Sequence, residues 1–239
     1  MTAHLLVVGL LLGASPEREG GWEDVSNEDG VRVERRTVEG TSLVEFRGRG
    51  LVEAPLLEVA AVIRDNDRKT EWMANCQSNY PVRWRSSTSA IVYHRVGSPA
   101  FFISDRDTVM DVRAEWAKEK RELTVSFFAV TDPKTPVRDD AVRMPELRGF
   151  WRLRYVSPKR TDVTYQVFAD PGGSLPRWLV NWASRDIPLH SIGGLRAQVT
   201  KAGYEKDRAI LELAFDLSVL DPDKVASESA KPESETRAN

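Results

Sequence analysis

From Val31 to Val38 the chain reads VRVERRTV, alternating apolar and charged residues with the two-residue period of a half-exposed strand. SLVEFRGRGLVEA repeats the alternation across the turn EGT, so the two segments predict a hairpin. The period then changes. Pro55 stands at a favourable helix start, and Leu56, Val59, Ala60 and Ile63 fall at helical spacing within LLEVAAVIRDNDRKTEW. Period two returns in YPVRWRSS, SAIVYHRVG, DTVMDVRAEWAKE, RELTVSFFAV, LRGFWRLRYVSP and RTDVTYQVFAD. Polar or Gly/Pro turns separate these segments, which predicts a meander of about six further strands.

The next segment, SLPRWLVNWASRDIPLHSIGGLRAQVTKAGYEK, predicts a long helix with Ser174 as N-cap, Pro176 in the first turn and Pro188 as a kink or break. The order is therefore two strands, a helix, a strand meander and a long C-terminal helix. A strongly curved antiparallel sheet needs something to fill its concave side, and the long helix is the available filler. Where helix and sheet do not meet, a cavity remains. Trp178, Leu179 and Trp182 share one helical face just after the glycine hinge Gly172-Gly173. Core packing and a lid over an apolar cavity both explain that face.

Residues 204–220, YEKDRAILELAFDLSVL, predict one more amphipathic helix. Residues 221–239 turn to Ser, Glu, Lys, Pro and Ala and cannot bury enough surface to offset their ordering entropy, so they are expected to be disordered. Residues 1–20 stand apart. His4–Ala14 is an apolar run too short to span a bilayer, with small residues at Gly13, Ala14 and Ser15 that suit cleavage. It reads as a signal peptide, although no Lys or Arg precedes it. The alternative is an N-terminal helix or strand packed on the fold. A used signal implies a periplasmic or secreted protein; an unused one implies a cytoplasmic protein.

Charge and cysteine content narrow the classes. The 239 residues suit one sizeable domain or two small ones, and a net charge of −2 gives no field that would draw nucleic acid. Cys76 is the sole cysteine, so neither an intrachain disulfide nor a multi-cysteine metal site can form. The histidines are His4, His94 and His190, without metal-ligand spacing. No nucleophile elbow, phosphate loop or dinucleotide fingerprint occurs, so no catalytic residue, metal or cofactor is expected.

The polar group of interest is Arg106 beside Asp107 in FFISDRDTVMDV. Facing inward, Arg106 would be a cation at an apolar cavity and would demand an anionic partner. A ligand phosphate is one such partner; Asp105 or Glu115 is the internal alternative. Tyr93, Trp116, Phe128 and Tyr165 lie on meander strands and are candidates to line the cavity, subject to a register whose shift by one residue reverses each of them. Pro99, Phe101 and Phe102 form an apolar tip in RVGSPAFFIS, either a membrane-dipping loop or a packed connection.

DPGGSLPRWLVNWASRDIPLHSIGGLR resembles the C-terminal signature of the START domain, the steroidogenic acute regulatory protein-related lipid transfer family. The matching positions are Asp170, Pro171, Gly172, Gly173, Pro176, Trp178, Leu179, Val180 and Asn181. SDRDTVM, RMPELRGFWRLRYVSPKRTDVTYQVF and RDNDRKTEWM resemble three further elements of that family, and the likeness spans roughly residues 22–203. It is similar in flavour to the phosphatidylcholine-transfer branch, in a bacterial member. Gly193 and Gly194 depart from the pattern and are expected to loosen the last helix.

The resemblance implies an α+β helix-grip fold: a curved antiparallel β-sheet wrapped around a long C-terminal α-helix, enclosing a hydrophobic tunnel, with residues 21–203 as the lipid-binding domain. It implies a monomeric, non-enzymatic protein that binds and transfers one lipid and touches membrane surfaces transiently. The ligand-binding candidates are Tyr93, Phe101, Phe102, Arg106, Trp116, Phe128, Tyr165, Trp178, Leu179 and Trp182. An enzyme similar to polyketide aromatase/cyclases is the alternative on the same fold. Its only plausible cluster is Tyr93, His94 and Arg106, and adjacent residues of a regular strand cannot both face the cavity. A third reading is an interaction module whose cavity has collapsed.

Overall fold

The structure, a computed structural model, describes residues 21–98, 103–176, 180–181 and 184–220. It opens on a strand that the alternation does not mark. β1 (Glu23–Glu28) holds a single apolar residue, Val25, and is largely exposed, so no period can be read from it. It pairs antiparallel with β2 (Val31–Thr37), and Arg32 donates from Nε to Asp24 at 2.6 Å across the pair. β3 (Val44–Val52) completes the predicted hairpin with β2.

α1 (Leu56–Arg64) begins immediately after Pro55 and buries Leu56, Val59, Ala60, Ala61, Val62 and Ile63. A single 3-10 turn at Lys69–Glu71 leads into the meander. Its strands are β4 (Cys76–Ser86), β5 (Ser89–Val96), β6 (Asp105–Ala117), β7 (Glu122–Ala129), β8 (Ala141–Arg143), β9 (Glu146–Ser157) and β10 (Arg160–Asp170). β8 has three residues, too few to carry a visible period, and pairs parallel with β6.

The sheet runs β1-β2-β3-β10-β9-β7-β6-β5-β4, so the chain's first hairpin joins the meander through the antiparallel pair β3·β10. Every other pairing along that path is antiparallel too. The concave side carries the main core, which includes Phe46, Trp72, Leu153, Val163, Ile192 and Leu195.

The predicted long helix is divided. The Val180 N–H donates to the Pro176 carbonyl at 3.2 Å, and Val180, Asn181, Ser184 and Arg185 are helical. Asp186 turns, and α2 (Ile187–Gln198) starts again with Pro188 in its first turn, where a missing N–H breaks no helical hydrogen bond. α2 ends at Gln198 rather than continuing toward Lys206, and Gly203, at φ +103°, lies in the turn before the next helix. That helix, α3 (Glu205–Ala214), packs on α1, with Leu211 buried and Arg208 donating to Glu58 at 2.6 Å.

Gly193 and Gly194 do not loosen α2, which runs unbroken through both. The approach of α2 to the turn at Trp72 explains the second glycine. A Cβ on Gly194 would lie 2.1 Å from the Trp72 carbonyl oxygen, whereas one on Gly193 would meet nothing within 4 Å. On the far face, Arg196 donates to the Leu51 carbonyl at 2.9 Å and the Asp29 carbonyl at 2.5 Å, tying α2 to the first hairpin.

Candidate functional site

Alternate residues of β5, β6, β7, β9 and β10 turn inward: Val92, His94 and Val96, then Met110 and Val112, Val125 and Phe127, Leu147 and Trp151, and Tyr165, Val167 and Ala169. With Ile63, Met73 and Ile187 from the helical side, they enclose an inner cavity of about 130 Å³. Val96, Met144, Ala169 and Ile187 also line an outer chamber of about 290 Å³, so the two spaces meet. Behind Asn66 and Val92 a third hollow of about 50 Å³ reaches Trp84 and Leu211. The three adjoin one another in the space between sheet and helices.

Aromatic packing holds one wall. The rings of Trp151 and Tyr165 stack at 4.0 Å between centroids, and Trp72 meets Trp151 edge-on at 5.7 Å. Polar side chains lie beside this cluster. Asn79 Nδ2 donates to Asn66 Oδ1 at 2.8 Å, which leaves Asn79 Oδ1 as an acceptor 3.1 Å from His94 Nδ1. The His94 proton therefore sits on Nδ1. Lys69 Nζ donates to the Ile63 carbonyl at 2.5 Å, satisfying an otherwise open carbonyl at the end of α1, and lies 4.9 Å from the Trp72 ring centroid.

Burial sets the charge states here. It lowers His94 to about 4, with the Lys69 charge adding to the effect. It lowers Lys69 to about 8 and lifts the Cys76 thiol to about 11. Tyr165 is pushed up by burial first and by Cys76 second. A stability profile follows for His94. The unfolded chain takes up a proton near pH 6.5, the folded one only near 4, so the unfolded state binds more protons in between. Stability should fall as pH drops through that window, by roughly 3 kcal/mol in all at about 1.4 kcal/mol per pH unit. Urea unfolding at pH 7, 5.5 and 4 measures this, and His94→Gln should flatten the acid limb; an unchanged limb would assign it to other groups.

Arg106, buried on β6, faces the outer chamber. Its Nε donates to the Pro171 carbonyl at 3.3 Å, and another of its nitrogens to the Ser104 carbonyl. Among the described residues it has no carboxylate partner. Asp105 is held by Arg95 at 2.8 Å and by the Ser98 N–H, Asp107 is held by Arg143 at 2.8 Å, and Glu115 is exposed toward the other end of β6. Burial lowers the Arg106 pKa, and Asp105 partly offsets that. Sharp backbone turns bring Pro171 into reach: Gly172 and Gly173 take φ +64° and +71°, a region that disfavours side-chain-bearing residues.

Of the residues singled out from the sequence, Tyr165 lines the inner cavity and Arg106 the outer chamber. Tyr93 does not: it lies on the opposite face of β5, packed with Ile91 and Val109 and stacked on Tyr80 at 4.9 Å. Phe128 points outward, 40% exposed, under the Arg113 guanidinium, while its neighbour Phe127 lines the cavity. Trp116 sits away from the cavity, with Nε1 donating to the Asp216 carbonyl at 2.8 Å. Phe101, Phe102, Trp178, Leu179 and Trp182 lie outside the described residues, as does Pro99. The cavity residues not singled out are mainly Met73, Met110, Met144, Leu147 and Trp151, with Lys69 and Asn79 on the polar wall. Inward alternation along β9 was the available signal for Leu147 and Trp151.

A curved antiparallel sheet, closed by C-terminal helices over a mostly apolar channel, defines the protein as a helix-grip protein with an internal ligand cavity. The chain belongs to the START domain family, whose match covers residues 11–201. An uncharacterized protein of Pseudomonas aeruginosa is 30% identical over 181 residues, covering 75% of this chain and 87% of the relative. Human phosphatidylcholine transfer protein is 27% identical over 169 residues, 69% of this chain and 77% of the relative. A solved STAR-related lipid transfer protein fragment from Xanthomonas axonopodis superimposes with a TM-score of 0.69 at 32% identity, covering 76% of this chain and 99% of that one.

Proposed function

We propose that the protein binds one lipid in the channel between sheet and helices and carries it between membranes, without chemical change. The observation that carries this reading is the pairing of an apolar inner cavity with a buried Arg106 in the adjoining chamber that has no carboxylate partner among the described residues. Taking a lipid from a bilayer gains little from the hydrophobic effect, because the tails leave one dry environment for another. Net selectivity falls to polar contacts, and a phosphate or carboxylate at Arg106 supplies the anion that a desolvated guanidinium lacks. Entry to the channel requires contact with the donor membrane, which makes the membrane surface a transient partner.

A non-enzymatic role fits the same geometry. His94 is kept neutral by burial and bonded to Asn79, the Cys76 thiol is pushed up to about 11, and Tyr93 stands on the other side of β5. Cys76 Sγ lies 3.8 Å from His94 Nδ1, but a thiol pushed up to about 11 beside an imidazole lowered to about 4 makes a poor nucleophile–base pair. Transfer of a fluorescent phosphatidylcholine between vesicles is the test. Wild-type protein should accelerate it, and Arg106→Met should cut the protein-dependent rate about ten-fold or more, the worth of one charge-assisted contact. No acceleration by wild type, together with no bound lipid, would remove this reading.

A further inference from the structure

The polar wall of the inner cavity has a feature that a channel for hydrocarbon alone does not need. Three side chains that reach the cavity are nearly sealed from solvent: Tyr165 is 2% exposed, His94 4% and Lys69 7%. Each has unused hydrogen-bonding capacity among the described residues. His94 spends Nδ1 on Asn79, with Cys76 Sγ 3.8 Å from the same nitrogen, and Nε2 has no partner. The Tyr165 hydroxyl has none either, its ring being fixed by the stack on Trp151. Lys69 uses one of three N–H donors on Ile63.

Polar atoms left open at an apolar cavity cost free energy unless a ligand group meets them. The set also has a definite character. With its proton on Nδ1, His94 offers a lone pair at Nε2, so it requires a donor. Tyr165 can donate or accept, and Lys69 donates. A carboxylate or phosphate would present its own lone pairs to Nε2. A hydroxyl can meet all three, giving its proton to His94 and accepting from both Lys69 and Tyr165 on its two lone pairs.

We propose that His94, Tyr165 and Lys69 form a recognition site for a hydroxyl group at the inner end of the bound lipid. The proposal rests on the lipid-cavity reading and adds the ligand's chemistry: an amphiphile whose anionic group lies at Arg106 and whose far end carries a hydroxyl. Phospholipids with plain acyl chains would bind without using this wall.

The test uses delipidated full-length protein and displacement of a fluorescent fatty acid by four probes of one chain length: palmitate, its terminal-hydroxyl analogue, the terminal methyl ether and the diacid. The hydroxyl analogue should bind about ten-fold tighter than palmitate, the equivalent of one well-made hydrogen bond. The methyl ether, which accepts but cannot donate, and the diacid should bind no better than palmitate. Tyr165→Phe keeps the stack and His94→Phe removes the acceptor; each should bring the ratio of hydroxyl-analogue to palmitate affinity to within about two-fold of unity, whatever its effect on palmitate itself. Equal binding of palmitate and its hydroxyl analogue to wild type would overturn the hydroxyl site and leave the lipid reading standing. So would a preference that survives both substitutions. Preference for the diacid would make the wall an anion site instead. Failure of every probe to bind would overturn the lipid reading along with it.

Discussion

Gly194→Ala is expected to cost about 3 kcal/mol of folding stability, while Gly193→Ala, one residue earlier on the same helix, is expected to cost nothing. The difference lies in what each new methyl group meets. At Gly194 it would stand 2.1 Å from the Trp72 carbonyl oxygen and 2.9 Å from its carbonyl carbon. Those are backbone atoms, which cannot rotate away as the tip of a side chain would. α2 must therefore lift from the Trp72 turn, disturbing the packing of the fully buried Ile192 and Leu195, at the upper end of the usual overpacking cost. Gly193 is exposed with open space around it, so alanine there gains up to about 1 kcal/mol of helix propensity. Urea unfolding of the two variants reads the contrast. Equal effects would mean that α2 does not approach Trp72 as closely as described.

Trp151→Ala carries the largest expected loss, about 4 kcal/mol, a large share of the stability of an ordinary domain. Trp151 is 3% exposed and links two parts of the interior: its ring stacks on Tyr165 and receives the edge of Trp72. Removing it leaves a void continuous with the inner cavity, which stiff β-strands cannot close. Tyr165→Phe, which keeps the stacked ring, should cost less than about 1 kcal/mol because the hydroxyl has no partner to lose among the described residues. Both proteins should be delipidated before guanidinium unfolding, since a ligand bound only to the folded state would mask part of the loss. A Trp151→Ala cost no larger than that of Tyr165→Phe would contradict the role given to this stack.

Much of the architecture is written in the periods. The alternation from Val31 to Val38 and through the meander segments marks strands that form, and Leu56, Val59, Ala60 and Ile63 mark the buried face of α1. What period could not supply is phase. In SAIVYHRVG and RELTVSFFAV apolar residues occupy both faces, because part of the sheet's outer face is also buried, around Ile91, Tyr93 and Val109. Tyr93 and His94, or Phe127 and Phe128, are then equivalent until a neighbouring strand fixes them. β1 was hidden because its pairing is made by charged and polar residues, and β8 because three residues have no period. Gly193 and Gly194 look alike in sequence; only the position of Trp72, more than a hundred residues upstream, separates a tolerant glycine from an obligatory one. The sequence marked Arg106 as a cation in need of a partner if it faces inward, but not that it lacks a carboxylate among the described residues, since that depends on Arg95 and Arg143 capturing Asp105 and Asp107.

The central claim is that the channel holds one lipid, and native mass spectrometry of full-length protein purified from a membrane-containing host without detergent tests it most directly. Ala169→Trp, placed where the inner cavity meets the outer chamber, is the matched control because its indole would fill the junction. Wild type should carry one lipid per chain, and Ala169→Trp, folded by circular dichroism, should carry none. A bare wild-type mass that stays bare after incubation with mixed phospholipid vesicles, or a lipid retained equally by the filled variant, would contradict the account.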